Sequence, residues 1–256
     1  MIKVVFFDID DTLFSHKTCS VPESTRAAIR SLREKGIHCV IATGRQMQAI
    51  DKLPMADIPF DGYITMNGQL ILDGSRQLLG DTPIRGRLLE QVLQMFEDRK
   101  IPVLLVEKDR MYLNLVDGQV LAVQERISTP VPQIGTYRGD NVYQACIYLT
   151  KENEPAIEPM RPYSEINWWT WGGADVVSAG SDKSVGIRHY LEVNGFSREE
   201  AMVFGDGTND VGMLRYAGIG VAMGNGSTAA REAADYVTCD IDDGGIEAAL
   251  RHFGLL

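Results

Sequence analysis

The sequence predicts an α/β protein: a doubly wound parallel sheet with an inserted α+β domain. Three observations carry this reading. Both ends of the chain alternate short apolar runs with amphipathic stretches, as parallel strands joined by crossover helices do. The middle loses that alternation and reads as a long helix with antiparallel strands. Several apolar runs near the ends stop at acidic or hydroxyl-bearing motifs, and such strand ends are where open α/β sheets bind ligands. The expected division is 1–81 with 179–256 for the α/β domain, and 82–178 for the insert.

The elements follow in order. Ile2 to Phe7 is rich in β-branched and aromatic residues, the signature of a strand buried on both faces. Ser20 with Glu23 has the spacing of a capping box, and Pro22 suits a first helical turn. Glu23 to Lys35 then places Ala28, Ile29 and Leu32 on one helical face, and Gly36 is a stop. Ile37 to Ala42 is a second strand, Gln46 to Leu53 a helix and Gly62 to Thr65 a third strand. Asn67-Gly68 is a hairpin-turn signal. In the insert, Ile84 to Lys100 is helical, and Val103 to Val106 with Met111 to Leu115 form a hairpin around Lys108-Asp109-Arg110. Val142 to Leu149 and Ile166 to Trp171 read as further strands. Beyond the insert come a helix over Val185 to Val193 and strands over Ala201 to Phe204 and Gly218 to Met223. Short helices are expected at Val211 to Tyr216, Thr228 to Ala234 and Gly245 to Phe253.

Composition excludes several functions. The 256 residues include 35 Asp and Glu against 25 Lys and Arg, a formal charge of −10, and 45% are apolar. A chain this acidic lacks the basic surface of a sequence-independent nucleic-acid binder. No stretch approaches the ~18 apolar residues of a membrane span, and the start lacks the apolar core of a secretory signal. A cytoplasmic location is expected. Cys19, Cys39, Cys146 and Cys239 are far apart in sequence, with no Cys-x-x-Cys, and read as small apolar side chains in a reducing compartment.

Four motifs hold the candidate chemistry. Asp8-Ile9-Asp10-Asp11-Thr12 follows the first strand, and in an extended backbone Asp8 and Asp10 point the same way. Two like charges that close call for a cation or a shared proton, although solvated loop acids would look the same. Ala42-Thr43-Gly44-Arg45 follows the second strand, where a hydroxyl and free backbone N–H groups can bind an anion or simply cap a helix. Gly205-Asp206-Gly207-Thr208-Asn209-Asp210 clusters oxygen ligands suited to Mg²⁺. Lys183 opens a helix; alone it would read as a surface group.

In that order, the four motifs resemble the haloacid dehalogenase (HAD) superfamily of phosphotransferases. Ala-Thr-Gly-Arg, Asn67-Gly68, Gly205 to Asp210 and Val221-Ala-Met-Gly224 are similar to its Cof-type sugar-phosphatase branch, in which a type-IIB α+β cap is inserted. The 140 positions from Thr43 to Lys183 (183 − 43) leave room for such a cap. The resemblance covers the whole chain and implies a Mg²⁺-dependent phosphatase of small phosphate monoesters, with sugar phosphates the leading class. It implies Asp8 as nucleophile, Asp10 as acid–base, and metal ligation by Asp8, Asp10 through its carbonyl, and Asp206. It further implies phosphate contacts from Thr43, Gly44, Lys183 and Asn209, with Thr12 and Asp210 behind them. Candidate substrate contacts in the cap are Asn114, Arg138, Trp168, Trp169 and Trp171, the tryptophans being equally explicable as cap core. Asp11 and Ser184 stand where the family often has Gly.

A phosphomutase of the phosphomannomutase type would use the same acids, and a phospho-accepting signalling module is a further alternative that the long insert disfavours. No P-loop, Gly-x-Ser-x-Gly or His-Glu-x-x-His motif occurs. The expected partner is a small phosphorylated metabolite, without nucleic acid, membrane or an obligate protein partner.

Overall fold

The structure, a computed structural model, describes residues 1–127, 129–169 and 172–256. The chain divides into two compact units, Met1–Asp81 with Asp182–Leu256, and Thr82–Ser181.

In the first unit, β1 (Val4–Phe7) is buried at every position; a strand covered on both faces has no use for alternating polarity. Helix α1 (Glu23–Glu34) turns Thr25, Ala28, Ile29 and Leu32 inward. It begins behind Pro22 with no side-chain cap, so the expected Ser20–Glu23 capping box does not form. The Ser20 hydroxyl pairs instead with Thr18 Oγ1 at 2.9 Å, while its carbonyl accepts from the Ser15 N–H and closes the loop after β1. Next come β2 (His38–Ala42) and α2 (Met47–Ile50), a single turn where the sequence predicts a helix reaching Leu53. Pro54 disfavours helical geometry at the residue before it. The Asn67-Gly68 turn then joins β3 (Gly62–Thr65) to antiparallel β4 (Leu70–Asp73), and β5 (Leu78–Asp81) pairs with β4 across a bulge.

The second unit begins with α3 (Gly86–Asp98) and the antiparallel hairpin β6 (Val103–Glu107) and β7 (Met111–Leu113). Helix α4 (Gly118–Arg126), capped by Asp117, and strands β8 (Val142–Ile147), β9 (Ser164–Trp168) and β10 (Ala174–Ser178) complete it. The sheet order is β7-β6-β8-β10-β9, antiparallel at each pairing. Leu88, Val92 and Phe96 of α3 pack in one core with Val103, Leu105, Ala145, Ile147 and Val176.

The chain then returns to the first unit through α5 (Lys183–Asn194), β11 (Ala201–Gly205), α6 (Val211–Tyr216), β12 (Ile219–Ala222), α7 (Thr228–Ala233), β13 (Tyr236–Val237) and α8 (Gly245–His252). The eight-stranded sheet has the order β13-β12-β11-β1-β2-β3-β4-β5. From β13 to β3 it is parallel, and the β3–β4–β5 edge is antiparallel. The winding runs outward from β1 through β2 and β3, then continues on the other side from β11. It therefore reverses between β1 and β11, and the carboxyl ends there form the crevice where such sheets bind ligands. Among the described residues no helix is long and apolar enough to cross a membrane.

The start of α5 is seated by a close backbone approach. A Cβ at Gly186 would come 2.4 Å from Ile64 Cγ2 and 2.9 Å from Gly68 Cα. Gly186→Ala is expected to cost about 1–3 kcal/mol by overpacking. Equilibrium urea unfolding measures it; a variant as stable as the parent would show that the helix yields without cost.

Candidate active site

Each site motif sits where the sheet ends. Asp8 directly follows β1, and its N–H donates to the Phe204 carbonyl of β11 (3.0 Å), which ties it to the neighbouring strand. Asp206 directly follows β11. Lys183 is the first residue of α5, and the Asp182 carboxylate fixes that start by accepting from the Ser184 N–H at 2.6 Å. Side chains far apart in sequence thus arrive at one sheet edge.

Lys183 is the centre of the cluster. Its Nζ donates to Asp8 Oδ1 at 2.6 Å and to Asp210 Oδ1 at 2.7 Å, and all three residues are at most 5% exposed. The second Asp210 oxygen accepts from the backbone N–H groups of Asp206 (2.9 Å) and Gly207 (2.8 Å). Asp210 therefore shapes the 205–210 loop. Gly205 permits this, since a Cβ there would lie 2.6 Å from Asp210 Cγ. Thr12 donates to Asp206 Oδ1 at 2.8 Å, and Thr12 is wholly buried.

The electrostatics follow from burial. Desolvation first, then the Asp210 charge, raise the Asp8 pKa well above the usual carboxylate range, with Lys183 pulling the other way. The same two causes push Asp206 up to about 7 against its Thr12 hydrogen bond. For Lys183, burial opposes the ammonium form, but the charges of Asp210 and Asp8 outweigh it and the net shift is upward. Asp8, Asp206 and Asp210 can each offer one oxygen, all within 4.8 Å of one another. Three carboxylates around one ammonium leave two negative charges uncompensated, so the donor set suits a divalent cation with hard oxygen ligands.

Asp10 lies outside that trio. It takes a two-point ion pair from Arg45 (Nε to Oδ2 2.8 Å, Nη2 to Oδ1 2.6 Å), and His16 Nε2 is 2.7 Å from Oδ1. Burial works against the ionised form. The hydrogen bonds and charges of Arg45 and His16 prevail, holding the Asp10 carboxyl well below its ordinary range. The motif Ala42-Thr43-Gly44-Arg45 gives Arg45 no role by itself; the fork of Arg matched to a carboxylate is visible only once β1 and β2 are side by side.

Thr43 is buried, and its Oγ1 accepts from the Arg45 N–H at 3.1 Å. Gly44 lies against Asn67, whose Oδ1 accepts from Asn209 Nδ2 at 3.2 Å. Asp11 has φ +52, a left-handed geometry that Asp tolerates better than most residues, so its stand-in for Gly is accommodated. Ser184 sits in the first turn of α5.

The candidates in the second unit fare differently. Asn114 is wholly buried: its Oδ1 accepts from Val103 N–H, and its Nδ2 donates to the carbonyls of Phe96 and Ile101. It is a structural clamp for the hairpin, not a substrate contact. Arg138 is exposed and Trp168 is 41% exposed. Trp169 packs edge-on to Tyr148 with centroids 5.3 Å apart. Trp171 lies outside the described residues.

Lys183→Met is expected to lower the melting temperature sharply, because losing one partner of a buried ion pair costs about 3–5 kcal/mol. Added Mg²⁺ should recover more of that loss than it adds to the parent. Melting curves with and without the ion test this; an unchanged curve would show that Asp8 and Asp210 do not depend on the ammonium.

A family model for haloacid dehalogenase-like hydrolases matches residues 5–250. The chain is 31% identical over 257 residues, 99% of its own length and 98% of the relative's, to YkrA of Bacillus subtilis (strain 168), provisionally named a phosphatase. It is similar in structure to BT1666 of Bacteroides thetaiotaomicron, described among phosphatases of the HAD superfamily, with TM-score 0.90 and 30% identity over 100% and 96% of the two chains. The corresponding values for BT4131, described as a HAD subclass IIB sugar phosphatase, are 0.84 and 34% over 99% and 100%. The chain belongs to the haloacid dehalogenase-like hydrolase family, among its phosphoric monoester hydrolases.

Proposed function

We propose that the chain is a Mg²⁺-dependent phosphatase that hydrolyses small phosphate monoesters, sugar phosphates foremost, through an aspartyl-phosphate on Asp8. One observation carries the reading: Asp8, at a strand end in the crevice, touches a buried lysine and shares a small volume with Asp206 and Asp210. Similarity to a sugar phosphatase supports the substrate class.

Phosphate-monoester hydrolysis is among the slowest uncatalysed reactions, and a carboxylate nucleophile splits it into two easier steps. Asp8 attacks phosphorus, and the alcohol oxygen leaves with the electrons of the broken P–O bond. Lys183 offsets the charge of the transferring group, and the Thr43 hydroxyl, the Gly44 N–H and the Asn209 amide bind its oxygens. Asp8, Asp206 and the Asp10 carbonyl would hold Mg²⁺, whose chemistry would be to offset negative charge on the transferring group. Asp10 gives a proton to the leaving oxygen and later takes one from the attacking water. Its contact with Arg45 and His16 keeps it ionised, which suits the second step; the first needs that contact to open and the carboxyl to be protonated. The unit Thr82–Ser181 is read as the cap that selects the leaving group. A mutase would return the phosphoryl group instead, so free phosphate separates the two.

Asp8→Asn is nearly isosteric and removes the nucleophile, so turnover should vanish with the fold intact. A chelator should abolish parent activity and Mg²⁺ restore it. Both are read from phosphate release over a panel of hexose phosphates, pyridoxal phosphate and flavin mononucleotide. Near-normal release by folded Asp8→Asn would remove Asp8 from the role.

Asp10→Asn should slow alkyl phosphates about 10²–10⁴-fold in single turnover. Aryl phosphates, whose leaving groups need less protonation, should lose far less. Equal losses for the two ester types would argue against the acid role.

A further inference from the structure

The turn between β3 and β4 is more than a hairpin connection. Met66, Asn67 and Gly68 all have positive φ (+51, +55 and +94), so two consecutive residues with side chains adopt left-handed geometry. Such residues cost of order 1–3 kcal/mol each and cluster at functional sites. Asn67 is also only 5% exposed, unlike a turn residue facing water.

This turn meets three loops of the site. Its backbone joins the 43–45 loop, with Asn67 N–H donating to the Thr43 carbonyl at 3.0 Å and Met66 N–H to the Arg45 carbonyl at 3.2 Å. The Asn67 amide covers Gly44, where a Cβ would lie 3.1 Å from Oδ1 and 3.3 Å from Nδ2. The same Oδ1 accepts from Asn209 Nδ2 at 3.2 Å. Gly68 abuts the start of α5, where its Cβ would come 2.3 Å from the Asp182 carbonyl oxygen. One buried amide thus lies between the Gly44 backbone and the Asn209 side chain, beside the helix start that carries Lys183.

We propose that Asn67 is a positioning residue for phosphoryl binding. Its side chain holds the Asn209 amide and backs Gly44, so that Thr43, Gly44 and Asn209 face an incoming phosphoryl group as one preorganised set of donors. The proposal rests on the phosphatase reading of the site. The competing view is that Asn67 is kept only because Asn accepts a left-handed turn.

Asn67→Gly separates the two views, since Gly accepts that geometry more easily than Asn and removes only the amide. The expected result is an unchanged melting temperature. With p-nitrophenyl phosphate, kcat/KM should fall about 10–100-fold, less than the ~10²–10³-fold of deleting an oxyanion donor outright. The inhibition constant of inorganic phosphate should rise by a similar factor. If Asn67 acts through Asn209, the losses in Asn67→Gly and Asn209→Ala should not add in the double variant. Asn67→Asp is the second probe, because it keeps the turn and Oδ1 but places a charge beside Gly44, so phosphate inhibition should weaken. Parent-like kcat/KM and phosphate inhibition in Asn67→Gly, additive losses, or unaltered phosphate inhibition in Asn67→Asp would each overturn the proposal. A parent protein that turns over no phosphate ester would overturn the phosphatase reading and this one with it.

Discussion

The Lys183 ammonium between Asp8 and Asp210 is the constraint on which the site depends. Both contacts are buried and close, at 2.6 and 2.7 Å. Unpaired charges in such a place would be too costly to keep, since removing an ion from water carries a penalty of several kcal/mol even after relaxation. The contact therefore fixes β1, α5 and the loop after β11 relative to one another.

The same pairing organises the charges around it. Lys183 does not balance three acids; burial first, and then the charge of Asp210, raises Asp8 and Asp206. Asp210 is spent on Lys183 and on two backbone N–H groups. Asp8 and Asp206 are the acids left to face a cation. Asp10, drawn off by Arg45 and His16, stands outside that trio and acts on Asp8 only as a lesser charge, behind burial, Asp210 and Lys183. Neighbouring acids of one short motif thus receive different environments, which is how one loop supplies groups of different acidity.

Local features were the legible ones. The strand at Gly62–Thr65 and the short helix Val211–Tyr216 fall where apolar patterning and turn residues place them. The acidic motifs mark strand ends because charge cannot continue into a buried strand. What escaped depends on partners distant in sequence. Strand β5 has a half-exposed, weakly apolar sequence and exists by pairing with β4. Strand β10 carries Asp175, which breaks the apolar run, yet it lies between β8 and β9. Asn114 was expected as a substrate contact, and only the fold shows three backbone groups claiming it. The Ser20–Glu23 box had the right spacing, but the helix starts behind Pro22 and the Ser20 hydroxyl pairs with Thr18 Oγ1 at 2.9 Å.

The loops of this site fit together through missing side chains as much as through present ones. At Gly205 the absent Cβ lets Asp210 fold back onto its own loop, and at Gly186 it lets α5 approach the β3–β4 turn. Both approaches bring a charged side chain to the crevice without lengthening the lever that carries it. Asp210 reaches Lys183 from its own compact loop, and Lys183 reaches Asp8 from the first residue of its helix. Short levers matter because a group that binds a transferring phosphoryl must not reorganise as charge develops. A site assembled from flexible side chains on separated loops would pay that reorganisation at each turnover. Close backbone contact moves the expense into folding, where the strained residues Met66 and Asn67 show part of it.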